Sequence, residues 1–345
     1  MPLPANYRLP AEWEPHAATW MAWPDPDQKR LYWQGDFEII CELFIELATA
    51  ISRFEPVYII GNEQALAKAK GRFDLHDQLV FEPIPCNDFW IRDTGPSFLL
   101  PLGNLAETGA KAIAPQWNAW GGKYAPWDQD AAIAGAIGSR LKLSVVPIPI
   151  VLEGGSFECD GDGTLLVSQS SVVDPKRNRG WSRDQIESLL RDTFSVQKVI
   201  WLEASLQGDD TDGHIDQLAR FIRPGVVAIA SQSDPADPNH PTLAALRRQL
   251  EGQTDARHRR LELLPIEIPA RYGLPHQQLP ASYLNFYIAN GLVAVPLFKV
   301  QQDQDALATI QALFPDRQVL GFDCGDLVKA SGCVHCITRH QPMLP

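Results

Sequence analysis

Cys336 is the residue of this sequence whose setting is most typical of a nucleophile. It follows the small residues Ser331 and Gly332, and it opens a short run with the β-branched side chains Ile337 and Thr338. Small residues let another molecule approach the backbone closely, and a thiol at such a place can attack a bound electrophile. The ordinary alternative is a buried and inert thiol, which we expect of the other five cysteines.

Four earlier stretches also carry polar side chains at the start of a predicted strand. They are residues 88–93, 153–156, 212–216 and 282–285. Carboxylates and an imidazole beside a thiol can together hold a cation and transfer protons during nucleophilic attack. We therefore expect the five strand starts to meet at one point.

The order of the predicted elements repeats from residue 156 onward. Three successive stretches have the order strand, Gly-containing turn, strand, helix and strand, with turns at residues 160–163, 224–225 and 290–291. The first of their helices is expected to begin at Ser182, which can cap it while Gln185 reaches back. The hairpin inside each stretch predicts a repeated ββαβ unit.

The leading strands start near residues 93, 153, 214, 283 and 336, and this spacing of about 60 residues indicates a repeated supersecondary unit. The last unit is incomplete, and the strand, helix and strand predicted within residues 17–60 supply its missing parts. Pairing of the C-terminal strand with the N-terminal one would close a ring and remove exposed strand edges. We predict an α/β fold of five pseudo-symmetric units around a central site, in one domain of residues 1–345. A doubly wound α/β sheet with accidental spacing is the alternative.

The composition excludes some classes of partner. A formal net charge of −12 without a cluster of Lys or Arg argues against a nucleic-acid partner. The six cysteines are scattered through apolar runs, which predicts reduced thiols without disulfides in a cytoplasmic protein. No stretch reaches the roughly 20 apolar residues of a membrane span, and the first residues contain no apolar export signal, so we expect no membrane association.

Several longer motifs follow one another along the chain. They are Asn-Asp-x-Trp-x-Arg-Asp-Thr-Gly-Pro at 87–96, Asn-Ala-Trp-Gly-Gly-Lys-Tyr at 118–124, Glu-Gly-Gly-Ser at 153–156, Asp-Asp-Thr-Asp-Gly-His-Ile-Asp at 209–216, Ala-Ser-Tyr-Leu-Asn-Phe-Tyr-Ile-Ala-Asn-Gly at 281–291 and His-Cys-Ile-Thr at 335–338. Together they closely resemble the agmatine deiminase family, which belongs with the bacterial peptidylarginine deiminases among the guanidine-modifying enzymes. The resemblance implies a five-bladed α/β propeller, the pentein fold, with a central active site and no metal or organic cofactor.

The resemblance assigns the chemistry to three residues. Cys336 would attack the guanidinium carbon and form a covalent thiouronium, and His214 would protonate the departing ammonia and then activate the hydrolytic water. Glu153 would orient and charge His214, although a Glu-Gly-Gly run is also typical of an exposed turn. Because neighbouring carboxylates raise the pKa of a thiol, the bound guanidinium itself would favour the thiolate.

Four further residues would bind the substrate if the resemblance holds. Asp93 and Asp216 would hold the planar guanidinium through paired charge-assisted hydrogen bonds. Strand alternation would place Asp216 on the same face as His214, whereas Asp93 could instead form an ordinary ion pair with a neighbouring arginine. Trp90 would pack on the carbon chain of the substrate, and Asp88 would attract a distal ammonium.

Two metal-binding alternatives arise from the same residues. Cys324, Cys333, His335 and Cys336 offer four possible zinc ligands, but strand alternation would send His335 to the face opposite Cys336. The acids at 209, 210, 212 and 216 around the histidine also suggest a metal site, although no partner histidine pattern accompanies them. These acids would favour the protonated form of the histidine.

Deimination of agmatine, a small cationic guanidino compound, is the leading hypothesis. A deiminase of free or peptidyl arginine would need a cation for the substrate carboxylate, for which Arg177, Arg179 and Arg183 are candidates. A non-catalytic protein that binds guanidino compounds is the alternative from another class. The run before the nucleophile carries Cys333, a second thiol that could pair with Cys336 under oxidation, and relatives of the family suggest a homodimer.

Overall fold

The computed structural model describes residues 6–26, 35–103, 109–274 and 276–344. Its strands form five larger sheets, and each of these combines antiparallel and parallel neighbours. In spatial order they are Tyr7–Arg8, Ser97–Pro101, Lys111–Gln116 and Ser144–Val151 in sheet 1; Lys198–Leu202, Thr164–Ser168 and Phe157–Cys159 in sheet 2; Ala219–Arg223, Val226–Ser231 and Glu262–Glu267 in sheet 3; Tyr287–Ile288, Leu292–Leu297 and Gln318–Asp323 in sheet 4; and Arg339–Pro342, His16–Ala22, Val57–Ile60 and Leu79–Glu82 in sheet 5. A small sixth sheet pairs Gly273–Leu274 with Gln277–Gln278.

Helices join the parallel strands within the sheets and cover their outer faces. The α-helices of eight or more residues are Phe37–Ile51, Glu63–Lys70, Ile133–Arg140, Arg183–Phe194, His240–Leu250 and Gln302–Leu313. Short α-helical turns are Ile91–Thr94, Ala119–Gly122, Gln169–Val172 and Pro175–Asn178, and 3₁₀ turns are Asp130–Ala132, Gly154–Ser156, Ile215–Gln217 and Leu327–Ala330. The longer helices are amphipathic and bury one apolar stripe each.

Sheet 2 shows how the sequence builds the repeated unit. Strand Phe157–Cys159 turns back through a Gly-containing hairpin to Thr164–Ser168, and a helix then leads to the parallel strand Lys198–Leu202. The predicted capping box is present, because the Ser182 hydroxyl accepts from the Gln185 amide while the Gln185 side chain accepts from the Ser182 amide. The predicted order of elements also occurs in sheets 3 and 4.

Sheet 5 joins the two ends of the chain, as predicted. Arg339–Pro342 pairs antiparallel with His16–Ala22, which pairs parallel with Val57–Ile60. Helix Glu63–Lys70 and strand Leu79–Glu82 extend this sheet and were not predicted from the sequence. The predicted removal of strand edges is wrong, because every sheet is open and keeps two edge strands. The mixed α/β class is confirmed, and the five-bladed ring stays a prediction.

The polar stretches lie in turns that precede the strands, and the prediction that they begin the strands is wrong. Cys336 lies in a turn before Arg339–Pro342, and Asp216 lies in the 3₁₀ turn Ile215–Gln217 before Ala219–Arg223. Strand alternation therefore does not apply to His214 and Asp216, or to His335 and Cys336. Turns allow consecutive side chains to point toward the same site, which a strand forbids.

The cysteines and the apolar helices bear on two further expectations. All six cysteines are free thiols, five of them buried and Cys159 partly exposed. Within the described ranges, no helix is long and apolar enough to cross a membrane.

Candidate active site

A turn ahead of each of the five larger sheets contributes to one buried cluster, so the expected convergence is found. Cys336 Sγ lies 3.7 Å from Asp216 Oδ2. His214 Nδ1 lies 3.7 Å from Asp93 Oδ1, and His214 Nε2 lies 3.5 Å from Glu153 Oε2. All five side chains are at least nine-tenths buried. A thiol, an imidazole and three carboxyl groups thus meet at one point.

Asn285 fixes the thiol within this cluster. Its Oδ1 accepts a hydrogen bond from the His335 amide at 3.0 Å, and its Nδ2 donates to Cys336 Sγ at 3.2 Å. A donor on the sulfur favours the thiolate over the thiol. The stretch 282–285 was expected to reach the site, but no role was assigned to Asn285. The signal for such a role was that Asn285 lies just before the strand Tyr287–Ile288.

The two aspartates are held by different partners. Asp93 Oδ1 accepts from the Gly155 amide at 2.9 Å, and Asp93 Oδ2 accepts from Trp120 Nε1 at 3.0 Å. The predicted alternative for Asp93, an ion pair with its neighbour Arg92, is wrong, because Arg92 pairs with Glu12. Asp216 Oδ2 lies 2.8 Å from His335 Nδ1 as well as 3.7 Å from Cys336 Sγ.

Three buried polar atoms of the cluster have no hydrogen-bond partner within the described part of the chain. They are Asp216 Oδ1, Glu153 Oε2 and His214 Nε2. The 3.5 Å contact between His214 Nε2 and Glu153 Oε2 is therefore an electrostatic one. Unsatisfied buried polar atoms are costly in a folded protein and are typical of a site that a ligand completes.

Arg177 holds Glu153 from behind and was not recognised in this role from the sequence. Its Nε donates to Glu153 Oε1 at 2.6 Å, and its two other nitrogens reach Asp212 Oδ2 at 2.8 Å and the Thr211 carbonyl at 3.0 Å. This buried ion pair is the main factor that lowers the pKa of Glu153 against the effect of burial. Arg177 is therefore occupied and does not offer a cation to a substrate carboxylate.

His214 is protonated at neutral pH in this environment. Burial alone would lower its pKa, but the carboxylates of Asp93, Glu153 and Asp216 outweigh that effect and raise the pKa to about 9. The charged state was expected from the run of acids at 209–216. Of that run, Asp216 raises the pKa of His214, and the other two carboxylates, Asp93 and Glu153, come from distant turns.

Cys336 is a thiol in the unliganded protein. Burial, followed by the nearby charges of Asp216 and Asp93, raises its pKa well above the ordinary value. Burial also raises the pKa of Asp93, with Glu153 and Asp216 adding to the effect and His214 opposing it. The pKa of Asp216 is lowered in spite of burial, mainly by His335. A cationic ligand between the aspartates would reverse the electrostatic penalty on the thiolate.

A pocket of about 310 Å³ leads from the surface to the thiol. It is lined by Trp90, Asp93, Trp120, Tyr124, Asp210, Thr211, Ala330, Ser331, Gly332 and Cys336. Aromatic walls suit an alkyl chain, and the carboxylates at its inner end and near its mouth suit a molecule with a cation at each end. Trp90 lies in this wall, and its packing on the carbon chain of a substrate stays a prediction.

Asp88 is not among the residues that line this pocket, and its attraction for a distal ammonium stays a prediction. Its carboxylate accepts from the Phe89 amide at 2.8 Å, in a buried position beside the pocket wall. Asp210 lies among the lining residues instead, where it accepts a hydrogen bond from the Tyr124 hydroxyl and lies 3.4 Å from Lys123 Nζ. The motifs at 118–124 and 209–216 contain these residues, but sequence spacing alone did not show that they meet.

The zinc alternative does not agree with the contacts of His335. Both ring nitrogens of His335 face carboxylates, Nδ1 at 2.8 Å from Asp216 and Nε2 at 2.9 Å from Glu12. Among the described residues, no group of three or more His, Cys, Asp or Glu side chains is arranged to hold a metal ion. His335 is instead part of the polar cluster behind the thiol.

Gly155→Ala is expected to remove most of the activity that this cluster supports. A Cβ at this position would lie 2.6 Å from His214 Nδ1, 2.9 Å from Asp216 Oδ2 and 3.1 Å from Asp93 Oδ1. Displacement of reacting groups by about 1 Å can cost on the order of 10²-fold in rate. Steady-state kinetics measure the effect.

Gly135→Ala is the matched control for this substitution. It introduces the same methyl group in helix Ile133–Arg140, where nothing lies within 4 Å of the new Cβ. Alanine in a helix is neutral or slightly stabilising relative to glycine. Equal activity of the Gly155 and Gly135 variants would contradict the geometry described for the cluster.

Comparisons with known proteins agree with the sequence motifs. Residues 8–342 match the model of the Porphyromonas-type peptidyl-arginine deiminase family. The chain is 35% identical to the agmatine deiminase of Pseudomonas aeruginosa, over 98% of this chain and 96% of the relative. The solved structure of agmatine deiminase of Enterococcus faecalis has a TM-score of 0.89 at 31% identity, over 98% and 96% of the two chains. A Cys-to-Ser variant of C. jejuni agmatine deiminase with substrate bound has a TM-score of 0.87 at 26% identity, over 97% and 96%.

Proposed function

The chain belongs to the Porphyromonas-type peptidyl-arginine deiminase family, and on that basis we propose that it hydrolyses agmatine to N-carbamoylputrescine and ammonia. The family resemblance drawn from the motifs is thereby confirmed. Curated relatives at 34% and 35% identity are named agmatine deiminase. The chain is accordingly a hydrolase that cleaves a C–N bond of a linear amidine.

The observation that carries this proposal is the set of unsatisfied atoms around the thiol. Asp216 Oδ1, Glu153 Oε2 and His214 Nε2 are buried without a hydrogen-bond partner in the described ranges. A guanidinium is planar, permanently charged and rich in N–H donors, and two carboxylates can hold it in a fixed plane. Asp216 Oδ1 and the Asp93 carboxylate would accept its N–H groups beside Cys336.

Binding of the guanidinium prepares the nucleophile. Asp216 and Asp93 raise the pKa of the Cys336 thiol in the empty site, and the substrate cation neutralises their field. The thiol proton leaves to solvent, and the Asn285 amide donates to the remaining sulfur anion. Sγ then attacks the guanidinium carbon, which is otherwise a poor electrophile because its charge is delocalised.

His214 acts twice in the proposed cycle. The imidazolium gives its proton to the nitrogen that leaves as ammonia, so that the C–N bond breaks and an S-alkylthiouronium remains on Cys336. The neutral imidazole then takes a proton from water, the hydroxide attacks the same carbon, and the C–S bond breaks to release the ureido product. Glu153, anchored by Arg177, holds His214 in place and keeps it charged for the first step.

The pocket walls favour agmatine over arginine. None of the described residues that line the pocket is a lysine or an arginine, and Lys123, which lies behind Asp210, is already paired with Asp210 and Asp212. Arg177 is bound to Glu153 and Asp212, and Arg183 lies over the Trp201 ring. A distal ammonium would instead meet Asp210, whose negative charge lies among the lining residues.

Asp210→Asn is expected to weaken agmatine binding more than turnover. Loss of one partly exposed charged contact should raise KM by roughly 3- to 30-fold. Butylguanidine, which lacks the distal ammonium, should show no such change, and exposed Asp192→Asn serves as the control for a lost surface charge. Equal effects of Asp210→Asn on both substrates would contradict this contact.

The alkaline limb of kcat/KM for agmatine is expected near pH 9. His214 must carry a proton to release ammonia, and its pKa of about 9 means that activity is present below this pH and is lost as the pH rises through it. Glu153→Gln removes a neighbouring negative charge and should move the limb to lower pH. Profiles of rate against pH for both proteins measure this, and an unmoved limb would disagree with the role of Glu153.

The finer architecture belongs to the same proposal. Five open sheets, each preceded by a turn that reaches the cluster, are the arrangement that a five-bladed pentein ring requires. The pairing of Arg339–Pro342 with His16–Ala22 supports this ring. The homodimer and the cytoplasmic location stay predictions.

A panel of three substrates tests the proposed function. The purified protein is incubated with agmatine, free arginine and a blocked arginine peptide, and both ureido product and ammonia are assayed. We expect turnover of agmatine with little turnover of the others. Turnover of only the peptide would overturn the substrate, and tight binding of agmatine without turnover would favour a binding protein.

A further inference from the structure

His335 contacts two carboxylates at once, behind the reactive thiol. Its Nδ1 lies 2.8 Å from Asp216 Oδ2, and its Nε2 lies 2.9 Å from Glu12 Oε2. The ring is buried, with 1% of the residue exposed. The cycle proposed above gives no role to this side chain, although it precedes the nucleophile in the chain.

The contacts of His335 limit the number of protons that Asp216, His335 and Glu12 can share. A neutral imidazole has one N–H, so between two ionised carboxylates one ring nitrogen would turn its lone pair toward a carboxylate oxygen. At separations below 3 Å that contact would be repulsive. Both contacts are hydrogen bonds only if the three groups hold two protons between them, as an imidazolium or as a neutral ring with one carboxylic acid.

Glu12 provides a rigid anchor on the far side of His335. Its Oε1 accepts from Arg220 at 2.8 Å and from the Ile288 amide at 3.0 Å, and its Oε2 accepts from Arg92 at 2.9 Å. These partners come from three separate parts of the chain. The His335 ring is thereby fixed from behind, so its other nitrogen has a defined position at Asp216.

Asp216 depends on His335 for its orientation. The His335 ring is the only nitrogen donor within the described residues that reaches the Asp216 carboxylate, and its contact uses Oδ2. The same Oδ2 lies 3.7 Å from Cys336 Sγ, and Oδ1 is buried without a hydrogen-bond partner in the described part of the chain. Loss of the His335 donor would let the carboxylate rotate and would raise its pKa, since burial opposes its charge.

We propose that His335 is a positioning residue whose two shared protons fix the orientation of the Asp216 carboxylate at the guanidinium site. This inference rests on the proposed function, because it assigns the orientation of a substrate-binding group to a residue outside the pocket. Burial and the charges of Arg220 and Arg92 lower the pKa of His335 against the opposing effect of Glu12 and Asp216. The ordinary alternative is a core histidine that contributes to folding alone.

Two isosteric substitutions separate these alternatives. An asparagine amide at this position can place its nitrogen near the former Nδ1, so His335→Asn keeps a donor toward Asp216 and loses the one toward Glu12. A glutamine amide reaches the former Nε2 instead, so His335→Gln keeps the donor toward Glu12 and loses the one toward Asp216. Both variants remove the imidazole and disturb the same buried cluster.

We expect His335→Gln to have a KM for agmatine about 10-fold or more above that of His335→Asn. Its acidic limb of kcat/KM should also lie at higher pH, because Asp216 must be ionised to bind the cation. Agmatine affinity of the same two substitutions in the Cys336→Ser background, measured by calorimetry, should show the same order. Equal KM values and equal agmatine affinities for the two variants would overturn the positioning role. A loss of affinity that merely parallels the drop in the thermal unfolding midpoint of each variant would overturn it as well.

A spectroscopic count of protons keeps this inference separate from the proposed function. The wild-type protein should show two strongly deshielded, exchange-protected proton signals that vanish in both His335 variants. A single such signal would overturn the two-proton assignment. If the wild type failed to turn over agmatine, the proposed function would fall, whereas the proton count would still decide the state of the Asp216, His335 and Glu12 cluster.

Discussion

Cys336→Ser is expected to bind agmatine and to release no measurable ammonia. A serine hydroxyl has nearly the same shape but ionises far less readily than a thiol, so the substrate cation cannot generate the nucleophile. Loss of a covalent nucleophile costs about 10⁴-fold or more in kcat in comparable hydrolases. The guanidinium should still be held by Asp93 and Asp216. Calorimetry measures binding, and a coupled ammonia assay measures turnover.

Cys333→Ser is the control for this prediction. Cys333 is a buried thiol three positions earlier, and the proposed cycle does not use its side chain. We expect this variant to retain most of its activity, and its oxidation behaviour would also test whether Cys333 pairs with the nucleophile. Turnover by Cys336→Ser at the wild-type rate would remove the covalent mechanism.

His214→Asn is expected to lower kcat by about 10²- to 10⁴-fold, the usual contribution of a general acid or base. The substitution removes both the proton for ammonia and the base for water. KM should change little, because the guanidinium is held by Asp93 and Asp216. The remaining activity should no longer fall near pH 9, since the group responsible for that limb is gone. Stopped assays over a range of pH measure both effects.

The exposed residue His258 provides a matched control. Its φ of 63° lies in the left-handed region, which asparagine tolerates better than most residues, so His258→Asn should leave both stability and activity unchanged. A similar loss in the two variants would point to a general effect of the substitution. An unchanged alkaline limb in His214→Asn would show that another group is the acid.

Much of the architecture could be predicted from the sequence because it depends on local patterns. The Ser182 capping box and the Gly-containing hairpin after Cys159 place a helix and two strands within a few residues of their positions. Helix Glu63–Lys70 escaped prediction because it is short and its buried face consists only of Ala65, Leu66 and Ala69. Strand Leu79–Glu82 has only four residues, and its pairing in sheet 5 defines it.

The convergence of the site could be predicted, but not the way in which the backbone brings it about. Cys336 and Asp216 lie in turns, and their directions depend on tertiary contacts that no strand periodicity describes. The placement of His214 with Asp216 was therefore expected for the wrong physical reason. A turn was signalled only by Gly213, whose φ of 96° favours glycine.

The supporting residues were missed because their partners are remote in the sequence. Arg177 meets Glu153 across 24 residues, Trp120 meets Asp93 across 27, and Asn285 meets Cys336 across 51. A single sequence does not show which distant polar side chains will pair. For the same reason the sequence did not indicate that Asp210 lines the pocket with Trp120 and Tyr124.

Rapid acid quenching during turnover of agmatine, followed by intact and peptide mass spectrometry, tests the central claim most directly. We predict a transient adduct whose mass equals agmatine minus ammonia, carried by the peptide that contains Cys336 and absent from Cys336→Ser. An adduct on another residue, or steady formation of ureido product while the peptide of Cys336 stays unmodified at every quench time, would contradict the account.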